Sequence, residues 1–180
     1  CISINRHLVH EDIYDEYVER LAEKAEMVPK GSAHDGSTVV GPIINESQRD
    51  EILDYVEQTV DEGATLETGG DVVAVDGVDD SLVVEPTVLS DATNDMAAAC
   101  NEHFGPVAPV IPVSSDEEAV ELANATEYGL AASVFSGDRN RAEDIADQID
   151  AGMVHINDQP INDEANVPFG GMKASGIGRF

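Results

Sequence analysis

An α/β fold with a mostly parallel sheet flanked by helices is what this sequence predicts, and three observations carry that expectation. Apolar residues at helical spacing alternate along the chain with short aliphatic runs, the pattern of strands joined by helical crossovers. Gly, Pro, Asn and Asp punctuate the joints between those segments. A length of 180 residues with 42% hydrophobic content suffices for one sizeable core, so a single domain over residues 1–180 is expected.

The elements follow in order. Residues 1–10 read as a strand of β-branched and aliphatic residues that stops at Glu11-Asp12. Ile13, Tyr17 and Leu21, with Tyr14, Val18, Ala22 and Ala25, then mark one face of an amphipathic helix that ends near Met27, before Pro29. Residues 29–44 form a connection rich in Gly, Ser and Pro. Asn45 caps a second helix, with Gln48 at the capping-box position and Ile52, Leu53, Val56 and Val60 facing inward, and Gly63 ends it. A short extended piece around Leu66 leads to Gly69-Gly70. Strands are expected at 72–75 and 82–89, with Asp76-Gly77 and Asp79-Asp80 turning between them. Asn101-Glu102-His103-Phe104-Gly105-Pro106 forms a corner before the apolar strand Val107 to Val113. Ser115 opens a third helix, residues 130–135 a strand, Asp138 a fourth helix, and Gly152 precedes a strand at 153–156, with parallel pairing in this half. Residues 157–180 are read as a long loop, and a loop of that length in a compact domain is usually functional or disordered.

Charge narrows the partners. Thirty-seven acidic residues against 9 basic give a formal net charge of -28, which repels nucleic acid and anionic membranes. The acid is spread evenly, without a terminal block, and that distribution points to a halophilic source, where salt at about 1 M screens charges beyond roughly 3 Å. An acidic module for a basic partner is the alternative. The longest apolar runs fall short of a membrane span and no signal segment opens the chain, so a cytoplasmic protein is expected. Two cysteines, Cys1 and Cys100, could pair, but reduced thiols are the default. His103 and His155 lack the neighbouring ligands of a metal site, and no metal is expected.

In the corner, Gly105 permits backbone angles that other residues resist and Pro106 fixes its own φ, so Glu102 and Phe104 are held close to a strand end, where α/β proteins place ligands. This stretch resembles the Glu-x-Phe-Gly-Pro-Val signature of the aldehyde dehydrogenase superfamily. Matches continue at Gly41-Pro42, Pro86-Thr87, His155 to Asp158, and Pro168-Phe169-Gly170-Gly171-Met172-Lys173-Ala174-Ser175-Gly176-Ile177-Gly178-Arg179. Cys1, with Arg6 five residues on and Asp12 to Tyr17 beyond, resembles the segment that begins at the family's catalytic cysteine. The resemblance covers essentially the whole chain. Asn101 stands where the family usually has a second acid, and His103 where isoleucine or threonine is commoner.

The resemblance implies the fold of the family's catalytic domain, NAD or NADP as cofactor, an aldehyde as substrate, and a homodimer or homotetramer. It implies that Cys1 is the nucleophile, that Glu102 holds the nicotinamide ribose, and that Phe104 packs near the nicotinamide. Asn157 and Phe169 fall near the family's substrate pocket, and Gln48 on a position that can touch the adenine-side ribose; a capping role for Gln48 has the stronger claim. The run His155 to Gln159 with Asn162 to Asn166 looks most like the branch acting on benzaldehyde or vanillin. In the family the general-base glutamate, the oxyanion asparagine and most of the dinucleotide-binding domain precede the cysteine, and a subunit-joining strand follows the Gly-Arg-Phe motif. The chain is therefore expected to be part of a longer enzyme and inactive in isolation. Two other readings compete: a non-redox cysteine thioesterase or acyl transferase using Cys1, and a non-catalytic acidic interaction protein.

Overall fold

A computed structural model describes residues 2–78, 82–162 and 164–179. Cys1 and the expected Asp79-Asp80 turn lie outside the described residues, as do Ser81, Asp163 and Phe180. The chain forms two compact units, one spanning Asn5–Pro112, the other Val113–Phe180 with the residues before Asn5.

In the first unit, β1 (His7–His10), β4 (Val107–Val113), β3 (Thr87–Ser90) and β2 (Thr65–Thr68) form one sheet in the order β1-β4-β3-β2. β3 runs parallel to β4, with Thr87 opposite Val107 and Leu89 opposite Pro109, while β2 runs antiparallel to β3 with a register irregularity between Leu66 and Thr68. Helix α1 (Tyr14–Met27) lays Tyr14, Val18 and Ala25 onto Val9, Val88 and Val110 of the sheet. Each such buried aliphatic contributes about 1.5–3 kcal/mol of burial energy. Tyr14 ties helix to sheet by polarity as well: its hydroxyl donates to the Val110 carbonyl (3.1 Å) and accepts from the Asp91 amide (2.6 Å).

Helix α2 (Glu46–Asp61) begins as its sequence predicts, with the Asn45 side chain accepting from the Gln48 amide at 2.9 Å. The other half of the box differs, because the Gln48 amide group donates to Glu51 one turn further on, also at 2.9 Å. Gly63, at φ 119°, ends the helix in a conformation that favours glycine.

The strands around residue 80 are shorter than expected. Residues 72–75 contribute one isolated bridge, Val72 to Val84, and the 82–89 strand shifts to β3. Pro86 is the reason, since it has no amide hydrogen to continue a ladder. β1 is likewise confined to His7–His10, because Asn5 and Arg6 turn their side chains to other segments, Arg6 bonding Asn94 at 2.6 Å. One short helix, α3 (Ala97–Cys100), stands where no element is expected from periodicity.

The second unit holds α4 (Asp116–Asn124), β5 (Ala131–Val134), α5 (Arg139–Ala146) and β6 (Met153–Ile156), and β5 and β6 pair in parallel as the crossover pattern requires. Ser115 and Asp138 cap the two helices through their side chains. Arg141 of α5 grips Asp116 of α4 with two bonds, 2.5 and 2.7 Å. The loop after β6 contains a 3-10 turn at Lys173–Ser175 and is held by its backbone: Met172 donates to Gly129 at 2.8 Å and Ala174 to Glu127 at 2.9 Å. Lys173 anchors it further, donating to the Asn124 carbonyl at 2.8 Å. Among the described residues no helix is long and apolar enough to cross a membrane.

Candidate active site

The corner at 101–107 is built from three neighbours. Helix α3 precedes it with Ala97, Ala98 and Ala99 all buried. Its first amides are met by α2, Ala97 donating to the Glu62 carboxylate (2.9 Å) and Ala98 to the fully buried Thr59 hydroxyl (2.8 Å). These bonds satisfy donors that a helix start would otherwise leave orphaned. Asn101 closes the helix by donating from both its backbone and its side chain to the Ala97 carbonyl, and its own carbonyl accepts from Asn5 Nδ2 at 3.0 Å. At the other end, the Pro106 carbonyl accepts from the Thr87 amide at 2.8 Å. The corner is pinned at both ends.

Between the pins exposure alternates along residues 102–104. Glu102 is exposed, His103 is 8% exposed, and Phe104 is 52% exposed. Gly105 lies against α2, where a Cβ would come within 2.5 Å of Ile52 Cδ1. Glycine is needed here for close approach. Neither ring nitrogen of His103 has a hydrogen-bond partner of normal geometry. Burial pushes its pKa below the usual histidine value, while backbone groups of Gly105 and Ala98 pull weakly the other way.

Glu102 and Phe104 are thus both exposed, on either side of the buried His103. Gln48 belongs to the same unit, on the first turn of α2, half-buried and bonded to Glu51. Asn157 and Phe169 belong to the other unit. Asn157 sits at the end of β6 with φ 55°, its side chain accepting from the Ser136 amide (2.9 Å) and donating to the Ser136 carbonyl (3.0 Å). That double bond closes the end of the β5–β6 pair. Phe169 is half-buried in the loop that follows. Cys1 lies outside the described residues. Sequence reasoning misses Asn5 and Thr59, which brace the corner from a distance; only contact across some forty to a hundred residues reveals them.

The donor set suits a nicotinamide dinucleotide. An exposed carboxylate accepts hydrogen bonds from a pair of ribose hydroxyls, and an exposed aromatic ring offers a face to a flat heterocycle. Among the described residues no group of His, Cys, Asp or Glu is placed to hold a metal ion.

The chain belongs to the aldehyde dehydrogenase family, whose model matches residues 1–180. It is 44% identical over 180 residues to a vanillin dehydrogenase of Corynebacterium glutamicum and 42% identical over 179 residues to a betaine aldehyde dehydrogenase of Brucella anthropi. It covers 36% and 37% of those two proteins, while 100% and 99% of the chain itself is matched. The chain thus spans little more than a third of the length of the curated relatives it matches. A crystal structure of Mycobacterium tuberculosis aldehyde dehydrogenase complexed with NAD+ superposes with a TM-score of 0.92 at 37% identity, over 99% of this chain and 36% of that one. The expected fold class is therefore correct, including the mostly parallel pairing.

Proposed function

We propose that the protein oxidises an aldehyde to a carboxylic acid, with residues 1–180 contributing the catalytic-domain part that carries the nucleophile. One observation supports this above the rest: within a chain of this family, Glu102 and Phe104 are turned outward together on a corner pinned at Asn101 and Pro106. The Cys1 thiolate attacks the aldehyde carbon to give a thiohemiacetal, and the backbone amide of Cys1 donates to the oxyanion. A bound NAD or NADP supplies the two-electron acceptor that takes the hydride from that carbon. Water then hydrolyses the thioester on Cys1, releasing the acid and restoring the thiol. Glu102 holds the ribose next to the nicotinamide and Phe104 packs beside that ring, while Gln48, its side chain bonded to Glu51, keeps its place in the first turn of α2. Asn157 and Phe169 border the aldehyde.

Glu102→Gln tests the cofactor assignment. The amide keeps the size of the side chain and loses the charge and one acceptor, so KM for NAD+ should rise by about tenfold, the value of one charge-assisted hydrogen bond. An unchanged KM would sink the role given to Glu102. For the substrate, the 44% identity to a vanillin dehydrogenase supports an aromatic aldehyde. The competitor is betaine aldehyde, and a higher kcat/KM for it than for benzaldehyde would reverse the choice.

The evenly spread charge of -28 supports a halophilic protein, and membership of the family supports a cytoplasmic enzyme assembled as a homodimer or homotetramer. Of the nine basic residues, Arg20, Arg49, Arg139, Arg141 and Lys173 pair with carboxylates, which leaves a large acidic excess to be screened by solvent ions. The melting temperature should climb steeply between about 0.1 M and 2 M KCl, where the screening length falls from roughly 10 Å to below 3 Å. A melting temperature independent of salt would remove that reading.

A further inference from the structure

The structure assigns His103 as a positioning residue: it is the inward anchor that keeps Glu102 and Phe104 turned outward together. This rests on the cofactor role proposed for those two neighbours. The corner is fixed by hydrogen bonds at Asn101, through Asn5 Nδ2 and the Ala97 carbonyl, and at Pro106, through the Thr87 amide. The segment between has only one inward side chain. Glu102 and Phe104 are exposed, Gly105 has none and fits against Ile52, and His103 alone is buried, at 8% exposure.

Exposure alternates residue by residue over 102–104, the pattern of side chains pointing to opposite sides in turn, so the phase of one residue sets the phase of both neighbours. Burying the ring at 103 therefore dictates where the carboxylate and the phenyl ring point. Removing the ring frees the segment to rotate, and the two outward groups lose their common face. The imidazole does this by shape. Neither of its nitrogens has a hydrogen-bond partner of normal geometry among the described residues, so packing more than polarity holds the ring. An apolar side chain of similar size fills the same place without burying polar nitrogens.

The test compares His103→Ala, His103→Ile and Glu102→Gln in the full natural chain, with KM for NAD+, kcat and melting temperature measured for each. His103→Ala should raise KM for NAD+ by about tenfold with kcat changed less than about threefold, because the chemical step uses neither side chain. His103→Ile should restore the KM and melt several degrees higher than the unaltered protein. A merely structural role would lower the melting temperature of His103→Ala and leave KM alone, and that result overturns the inference. If Glu102→Gln raises KM and His103→Ala does not, the anchor falls and the cofactor assignment stands. If neither variant moves KM, both fall. Should His103→Ala fail to fold, a KM for His103→Ile more than about fivefold above the unaltered value overturns the inference, since shape alone then does not suffice.

Discussion

Cys1→Ser lowers kcat for aldehyde oxidation by about a thousandfold or more, with KM for NAD+ changed little; single-turnover NADH formation at 340 nm checks it. A thiol near its pKa of roughly 8.5 supplies a useful fraction of thiolate at neutral pH, whereas a serine hydroxyl supplies almost none without a base beside it. The acyl group left after hydride loss also matters. A thioester yields to water far more readily than an oxygen ester, so serine would slow both halves of the cycle. The cofactor contacts are assigned to Glu102 and Phe104 and not to Cys1, so binding of NAD+ should survive. A variant that keeps more than about a tenth of the activity would remove Cys1 from the mechanism. Cys100, the exposed thiol at the end of α3, has its sulfur facing the Ala97 carbonyl and the Asn101 amide and belongs to the helix stop.

Gly152→Ala is the substitution expected to cost most stability. A Cβ at that position would lie 1.7 Å from the Gly170 carbonyl oxygen and 2.7 Å from its carbon. Both are backbone atoms, so no side chain can rotate away. The Gly152 amide already donates to Gly129 at 2.9 Å, and Met172 donates to the same carbonyl, so strand and loop are tied to one acceptor and must separate together. Overpacking in a fixed site costs about 1–3 kcal/mol and occasionally more, and a clash of backbone on backbone belongs at or beyond the upper end. A drop of more than about 10 °C in melting temperature is expected for this unit. A drop of under about 2 °C would show that the loop at Gly170 can move aside. Gly36, where nothing lies within 4 Å of an added Cβ, is the matched control, and Gly36→Ala should change little.

Helices were the most legible part of the sequence, because caps and apolar faces are local. Asn45, Ser115 and Asp138 all cap as their positions predict. Strand limits were less legible, since they depend on which donors find a partner: Pro86 trims one run and the diverted side chains of Asn5 and Arg6 trim another. Helix α3 escaped notice because four residues, three of them alanine, show no period, although their high propensity is a signal. Phase at the corner was also hidden. Three residues between Asn101 and Gly105 alternate equally well in either sense, and only the packing against α2 and α3 decides that His103 goes inward. The nucleophilic role proposed for Cys1 comes from resemblance alone, as a lone cysteine carries no spacing to read.

The division of the chain has a consequence for the order in which it takes shape. The residues just before Asn5 cluster with Val113–Phe180, although everything from Asn5 to Pro112 forms the other unit. The contacts of Ile2 to Ile4 with the unit from Val113 onward close only once those later residues have been made. The loop closed in that last step is longer than a hundred residues, which makes it a late and slow event. A cut between Asn5 and Val113 therefore parts Ile2 to Ile4 from the residues they cluster with, and neither piece rebuilds that unit by itself.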